Sequence, residues 1–273
     1  MPTFISLPLK HFVSALLLGL PLTAAAQLPS PAGVPDSLPV TARPSTLRRA
    51  TYWAGQPANQ RVLIPAILFT AGALTTRRVA VVNSDNEVRE ELNEHVVPVR
   101  TTIDDELRHV PAAVALGLSL AGVKGQHSTV NQALLFALTY TINNTLTSNL
   151  KNLTRVERPG NNGDFSSFPS QHTSAAFSAA RFLDREYGES SNWYRVGGYS
   201  VATGVAALRL IKGNHWLSDV LAGAGVGLAS TELAYWIYPR VQRVLVKGLQ
   251  DQALVLPFYQ AGAAGLTAVV VLR

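Results

Sequence analysis

Six apolar segments, at residues 62–74, 110–123, 133–146, 173–183, 196–211 and 216–238, constrain this chain more than any other feature. They lack dense β-branched alternation and most exceed the length of a strand, so they read as helices. Helices of this kind bury their apolar faces against one another, and the expected fold class is all-α, a six-helix bundle. Cysteine is absent, so there is no disulfide framework and no thiolate metal site. The core must hold the fold alone, and 273 residues are ample for one such domain.

The two ends of the chain differ from its middle. Lys10 and His11 precede an apolar run at 12–22 and small residues up to Ala26, the pattern of a secretory signal peptide over residues 1–26. The run is short for a membrane span of ~20 residues. Pro, Ser and Ala dominate 27–49, which reads as a linker. The helical domain is expected over 50–245. In the tail, 246–273, β-branched residues flank Gly262 and Gly265, which suggests a short C-terminal β-hairpin.

Three polar clusters stand at the edges of the apolar segments. Lys151 and Arg158 are seven apart, which returns them to nearly one helix face, and Pro159 stops a helix at about that point. Arg grips two phosphate oxygens at once, whereas Lys acts as a point charge. A basic helix C-terminus favoured by the macrodipole accounts for the pair as well. Ser170, Gln171 and His172 follow Pro169 and open the fourth segment. With Ser170 as N-cap, the amides near Ser170 and Gln171 can hold an anion. His215 and Asp219 are four apart at the start of the sixth segment and share a face if it is helical. A carboxylate beside an imidazole fixes its tautomer and stabilises its cation. Singly, each cluster is ordinary helix-end chemistry. In a bundle, however, all of them, with Arg209 at the end of the fifth segment, fall at one end.

The three clusters read Lys151-x6-Arg158-Pro159, Pro169-Ser170-Gln171-His172 and Leu208-Arg209-x5-His215-x3-Asp219. In this the chain resembles the type 2 phosphatidic acid phosphatase superfamily, which also contains vanadium-dependent haloperoxidases. Its signature is Lys-x6-Arg-Pro, Pro-Ser-Gly-His and Ser-Arg-x5-His-x3-Asp. The resemblance implies a helical bundle and a two-step hydrolysis of a phosphomonoester or pyrophosphate, with no metal and no cofactor. It implies that His215 is the nucleophile, that Asp219 orients it and that His172 protonates the leaving alcohol. Lys151, Arg158, Arg209 and the amides at Ser170 and Gln171 would bind the phosphate. Gln171 stands where the family has Gly, which helical dihedrals allow because only a positive φ demands glycine. Leu208 stands where it has Ser, removing one hydroxyl beside Arg209.

The implied substrates are phosphorylated membrane lipids of the phosphatidic acid, phosphatidylglycerol phosphate, undecaprenyl pyrophosphate or lipid A classes. A soluble periplasmic acid phosphatase acting on small esters is the alternative, and a haloperoxidase or an inactive lipid-binding protein ranks below both. A net charge of +6 suits an anionic substrate or an acidic lipid surface. No basic run is interleaved with aromatics, which argues against nucleic acid, and no protein partner is indicated. Only 216–238 is long enough to cross a bilayer, and it carries Asp219 and Glu232. The expected place is the periplasm or the envelope membrane, with the site facing the periplasm.

Residues 85–108 are dense in charge, with Glu90, Glu91, Glu94, His95, Asp104, Asp105 and Glu106. Their spacing matches no firm metal-ligand pattern, and a solvated amphipathic helix is expected. His109 and His127 read as structural or surface residues.

Overall fold

Long apolar segments without strand periodicity become helices here wherever the backbone is described. The computed structural model describes residues 54–76, 84–96, 99–160, 163–250, 253–260 and 263–270. The expected signal peptide and linker lie outside these residues. The chain divides into two units, Met1–Asn59 and Gln60–Arg273, and the second holds the helical bundle. The helices are α1 (Pro57–Thr75), α2 (Ser84–His95), α3 (Ile103–Leu107), α4 (Val110–Leu120), α5 (Thr129–Thr154), α6 (Gln171–Tyr187), α7 (Asn192–Ile211) and α8 (Leu217–Gln250). Strands β1 (Ala253–Gln260) and β2 (Ala263–Val270) pair antiparallel, from Ala253 opposite Val270 to Gln260 opposite Ala263. Among the described residues the helix count exceeds six because the charged stretch contributes α2 and α3.

The architecture is built on α6 and α8. Among the described helices their mutual packing is the most extensive, with α7 against α6 close behind and α5 against α8 next. Phe182 and Tyr187 of α6 and Leu135 of α5 are fully buried in one core cluster. Each contributes roughly 1.5–3 kcal/mol through burial. Small residues do the same for the α6–α7 seam, where Ala176 and Ala180 meet Ala202 and Val205. Tight seams of this kind fix the helix ends relative to each other, and the helix ends carry the chemistry.

Two helices are unusual in what they bury. Residues 217–243 of α8 are long and apolar enough to cross a membrane, yet 61% of an 18-residue apolar window within them is buried inside the bundle, as in a core helix. On α5 the polarity is inverted. Gln132, Thr139, Asn143 and Thr147 are fully buried, while Val130 and Leu153 stand 69% and 80% exposed. The buried row is satisfied in part by Thr147, whose hydroxyl donates to the Asn143 carbonyl at 2.7 Å.

Candidate active site

The site forms where α5 ends, α6 and α8 begin and α7 closes. Helix α5 stops at Thr154 because Arg155 adopts a left-handed conformation (φ 47°) and donates its N–H to the Lys151 carbonyl. Arg158 therefore lies on the following loop rather than on the helix face expected from its spacing to Lys151. The loop folds back by backbone bonds from Arg158 to Asp164 (3.0 Å) and from Ser167 to Val156 (2.9 Å). This return brings Ser166 and Ser167 against Lys151, whose ammonium donates to both of their carbonyls.

His215 and Asp219 meet as the spacing implied. His215 is 3% exposed and Asp219 is fully buried, and Nδ1 of the ring lies 3.3 Å from Asp219 Oδ2. That oxygen also accepts from the Trp216 amide at 2.8 Å and from the Ser167 hydroxyl at 2.5 Å. Ser167 Oγ lies 3.4 Å from His215 Nδ1 as well. Nδ1 is thus turned to the carboxylate and hydroxyl, and Nε2 is left for chemistry. Burial pushes the imidazole down to about 4, against the raising effect of Asp219. The ring is neutral at rest, as a nucleophile must be.

The three cations share partners. Arg158 donates to the Asn214 carbonyl (3.2 Å) and to Ser166 Oγ (3.4 Å), and pairs with Asp164 at 2.7 Å. Arg209 is 7% exposed and takes up the Asn214 side-chain oxygen at 3.1 Å once the amide is oriented to satisfy both groups. Lys151 reaches the same Ser166 from the other side. Burial, reinforced by the nearby Arg158, lowers its ammonium to about 8. An open cavity of about 490 Å³ lined by Lys151, Asp164 and Ser166 adjoins this cluster.

At the mouth of α6 stands Ser170. It is the N-cap, accepting from the Thr173 amide and hydroxyl at 3.5 and 3.0 Å, and it is fully buried. Its own amide donates to the Asp219 carbonyl at 2.9 Å. The amide is thus engaged in tying α6 to α8, whereas the hydroxyl is the acceptor in both Thr173 contacts and keeps its O–H as a donor. The amides of Gln171 and His172 remain at the helix mouth. Gln171 tolerates the site because it is not among the positive-φ residues, and its side chain lies 3.4 Å from Asn144. His172 is half-buried and its Nε2 lies 2.6 Å from Asp105 Oδ1. Burial lowers the His172 ring below its ordinary value, while Asp105 opposes that shift.

Residues missed by sequence reasoning supply the frame. Asp104 is fully buried between Arg209 (2.7 Å) and Lys212 (2.8 Å). Burial alone would raise its carboxyl, but the hydrogen bonds from Lys212 and Arg209 outweigh it and hold the group at about 2. Asp85, also buried, accepts from the Ser218 amide and hydroxyl at 2.8 and 2.6 Å and so caps α8 from α2. Gly213 (φ 64°) turns the chain from α7 toward His215, and the Arg89 guanidinium packs where a side chain would otherwise stand. The charged stretch is therefore not a solvated helix throughout, since Asp85 and Asp104 are buried and Asp105 turns to His172. His95 keeps the expected exposure, paired with Glu91 at 3.6 Å. His127 is held at 2.8 Å by the buried Glu186, away from these motifs.

Residues 132–243 match the model of the PAP2 superfamily. The match covers less than half of the chain. All eight residues singled out from the motifs, Lys151 through Asp219, lie within the matched segment. Over 160 residues the chain is 34% identical to a lipid A 1-phosphatase of Porphyromonas gingivalis, a match covering 57% of this chain and 35% of the relative. The matched part thus spans about a third of that relative's length. Two crystal structures are also similar at 20% identity. One is Aquifex aeolicus LpxE, with a TM-score of 0.38 over 56% of this chain and 94% of that one. The other is a transmembrane PAP2 type phosphatidylglycerolphosphate phosphatase from Bacillus subtilis, with a TM-score of 0.42 over 67% and 96%.

Proposed function

We propose that the chain is a phosphatase that hydrolyses the phosphomonoester or pyrophosphate of a membrane lipid through a phosphohistidine. The observation that carries this reading is the buried, neutral His215, fixed through Nδ1 by Asp219 and Ser167 beside three cations. Its Nε2 attacks phosphorus, the bond to the ester oxygen breaks, and His172 gives that oxygen its proton. Lys151, Arg158, Arg209, the Ser170 O–H and the amides of Gln171 and His172 neutralise charge on the equatorial oxygens, where phosphoryl transfer draws most of its acceleration. Water then attacks the phosphohistidine while His172 takes its proton, the N–P bond breaks, and neutral His215 returns with inorganic phosphate released.

Two observations favour a lipid over a small soluble ester. The relative from Porphyromonas gingivalis is named for a lipid A phosphate. The inverted polarity of α5, with exposed Val130, Leu134 and Leu153 opposite a buried polar row, suits a helix lying against a lipid surface. The proposed place is the envelope membrane, with the site open to the periplasm and residues 1–26 directing export. The test is phosphate release by the purified chain from a panel of envelope lipid phosphates beside a soluble aryl phosphate, with His215→Ala as control. Lipid phosphates are expected to be preferred, His215→Ala to be inactive, and a phosphorylated His215 to be trapped by rapid alkaline quench. Turnover by His215→Ala near that of the unaltered chain would end the phosphohistidine reading. Preference for the aryl phosphate would favour the soluble acid phosphatase instead.

A further inference from the structure

The charged stretch delivers a second carboxylate–imidazole pair to the site. Asp105 Oδ1 lies 2.6 Å from His172 Nε2. The carboxylate is not a loose surface group. Its neighbour Asp104 is locked to Arg209 and Lys212 of the α7 end, which pins α3 beside α6. The Asp105 amide donates to Thr102 at 2.9 Å, and its carbonyl accepts from Arg108 Nε at 2.9 Å. Backbone and side chain are thus both placed. The charged groups around the ring are Asp105 and Asp104 from α3, Arg108 just after it and Arg209 from α7, and two of these are cations that disfavour an imidazolium. Without a carboxylate against it, a half-buried histidine facing Arg209 would lose its proton too readily to serve as an acid.

We propose that Asp105 is the positioning residue of His172: it holds the ring through Nε2, favours the imidazolium, and leaves Nδ1 to deliver the proton to the departing oxygen. The assignment rests on the proposed role of His172 as proton donor. The site then contains two dyads with different tasks. Buried Asp219 holds His215 by Nδ1 and frees Nε2 for attack, whereas Asp105 holds His172 by Nε2 and frees Nδ1. Asp105 retains 45% exposure of its side chain, so the second dyad touches solvent and His172 can exchange its proton with bulk water between turnovers. The buried dyad is kept from doing so.

The test compares Asp105→Asn, Asp105→Ala and Asp105→Glu in the full chain, with folding checked by circular dichroism. Two substrates are used, a dialkyl phosphatidic acid with a poor leaving alkoxide and an aryl phosphate whose leaving group needs no proton. General acid catalysis as a whole is worth ~10²–10⁴-fold, so loss of its partner is expected to lower kcat on the alkyl substrate on the order of 10-fold. The aryl substrate should be much less affected. The alkaline limb of the pH profile should move to lower pH, and Asp105→Glu should recover part of both effects. Equal losses on the two substrates, or an alkaline limb that stays in place, would overturn the assignment. His172→Ala and His215→Ala are run alongside. If His172→Ala spares the alkyl substrate, the reading of His172 itself fails, whereas an inactive His215→Ala with an unmoved Asp105→Asn profile removes Asp105 alone.

Discussion

Replacing Gly223 by alanine tests whether the two halves of the site are held by direct helix contact. Gly223 lies on α8 four residues after Asp219. A Cβ there would stand 2.6 Å from the Ser170 carbonyl oxygen and 3.2 Å from Thr173 Cβ. The first distance is about 0.8 Å short of the 3.4 Å at which ordinary contact begins, and the obstacle is backbone, which cannot rotate away. Ser170 is moreover tied to Asp219 at 2.9 Å, so yielding at one point strains the other. Alanine in a helix gains ~1 kcal/mol over glycine. Overpacking costs ~1–3 kcal/mol. The net expectation is a stability loss of up to ~2 kcal/mol. Activity should fall further, because separating the His172 turn from the His215 turn by nearly 1 Å misplaces both imidazoles, and such a misplacement costs up to ~10²-fold. Gly204→Ala is the control, since nothing lies within 4 Å of its Cβ and it sits in α7. It should gain up to ~1 kcal/mol with activity unchanged. Denaturant unfolding and phosphate release, measured on the same preparations, decide between the two outcomes. If Gly223→Ala matches Gly204→Ala in both, the close approach of α6 and α8 does not govern the site.

The pH dependence of kcat/KM should be bell-shaped with its optimum on the acid side of neutrality. Activity rises as His215 loses its proton near pH 4 and falls as His172 loses its own below its ordinary 6.5, while Lys151 stays protonated to about 8. An alkaline optimum with an aryl and an alkyl phosphate alike would contradict these roles. Asp104→Ala leaves Arg209 and Lys212 with an uncompensated buried charge and should destabilise by ~3–5 kcal/mol, read by chemical unfolding at neutral pH. The Asp104 contribution is also expected to fade as pH drops from about 4 toward 2. Its folded pKa is depressed, so the stability is present above the unfolded value and is lost on titration through the folded one.

The parts of the molecule legible in the sequence have a common physical form. The helices behind the apolar segments follow from composition and length, because any face that buries so much apolar area must pack. The His215–Asp219 pair was readable because four residues in a helix are neighbours in space. The Lys151–Arg158 relation was misread for the converse reason. A helical spacing means nothing once Arg155 has turned left-handed, and only the folded loop shows that Ser166 joins the two cations. Ser167 gave no signal at all, since a serine between Arg158 and Pro169 has no distinguishing neighbour. Its role at Asp219 exists only across 52 residues of chain.

Asp105 meets His172 across 67 residues, Asp104 meets Arg209 across 105 and Asp85 meets Ser218 across 133, so no local period could reveal them. Electrostatics nevertheless required something of the kind. A buried cation is tolerated only where an opposite charge or a hydrogen-bond acceptor meets it. A site that gathers Lys151, Arg158 and Arg209 at one closed end of a bundle therefore needs resident carboxylates to hold it together before any phosphate arrives. Asp164 provides one, at 2.7 Å from Arg158. The densest run of carboxylates in the chain provides the others. A cluster of acids whose spacing matches no firm metal-ligand pattern and that lies between two apolar segments is then better read as the counter-charge of a cationic pocket than as solvated surface. Asp104 is the sharpest case, because one fully buried carboxylate holds two cations at 2.7 and 2.8 Å.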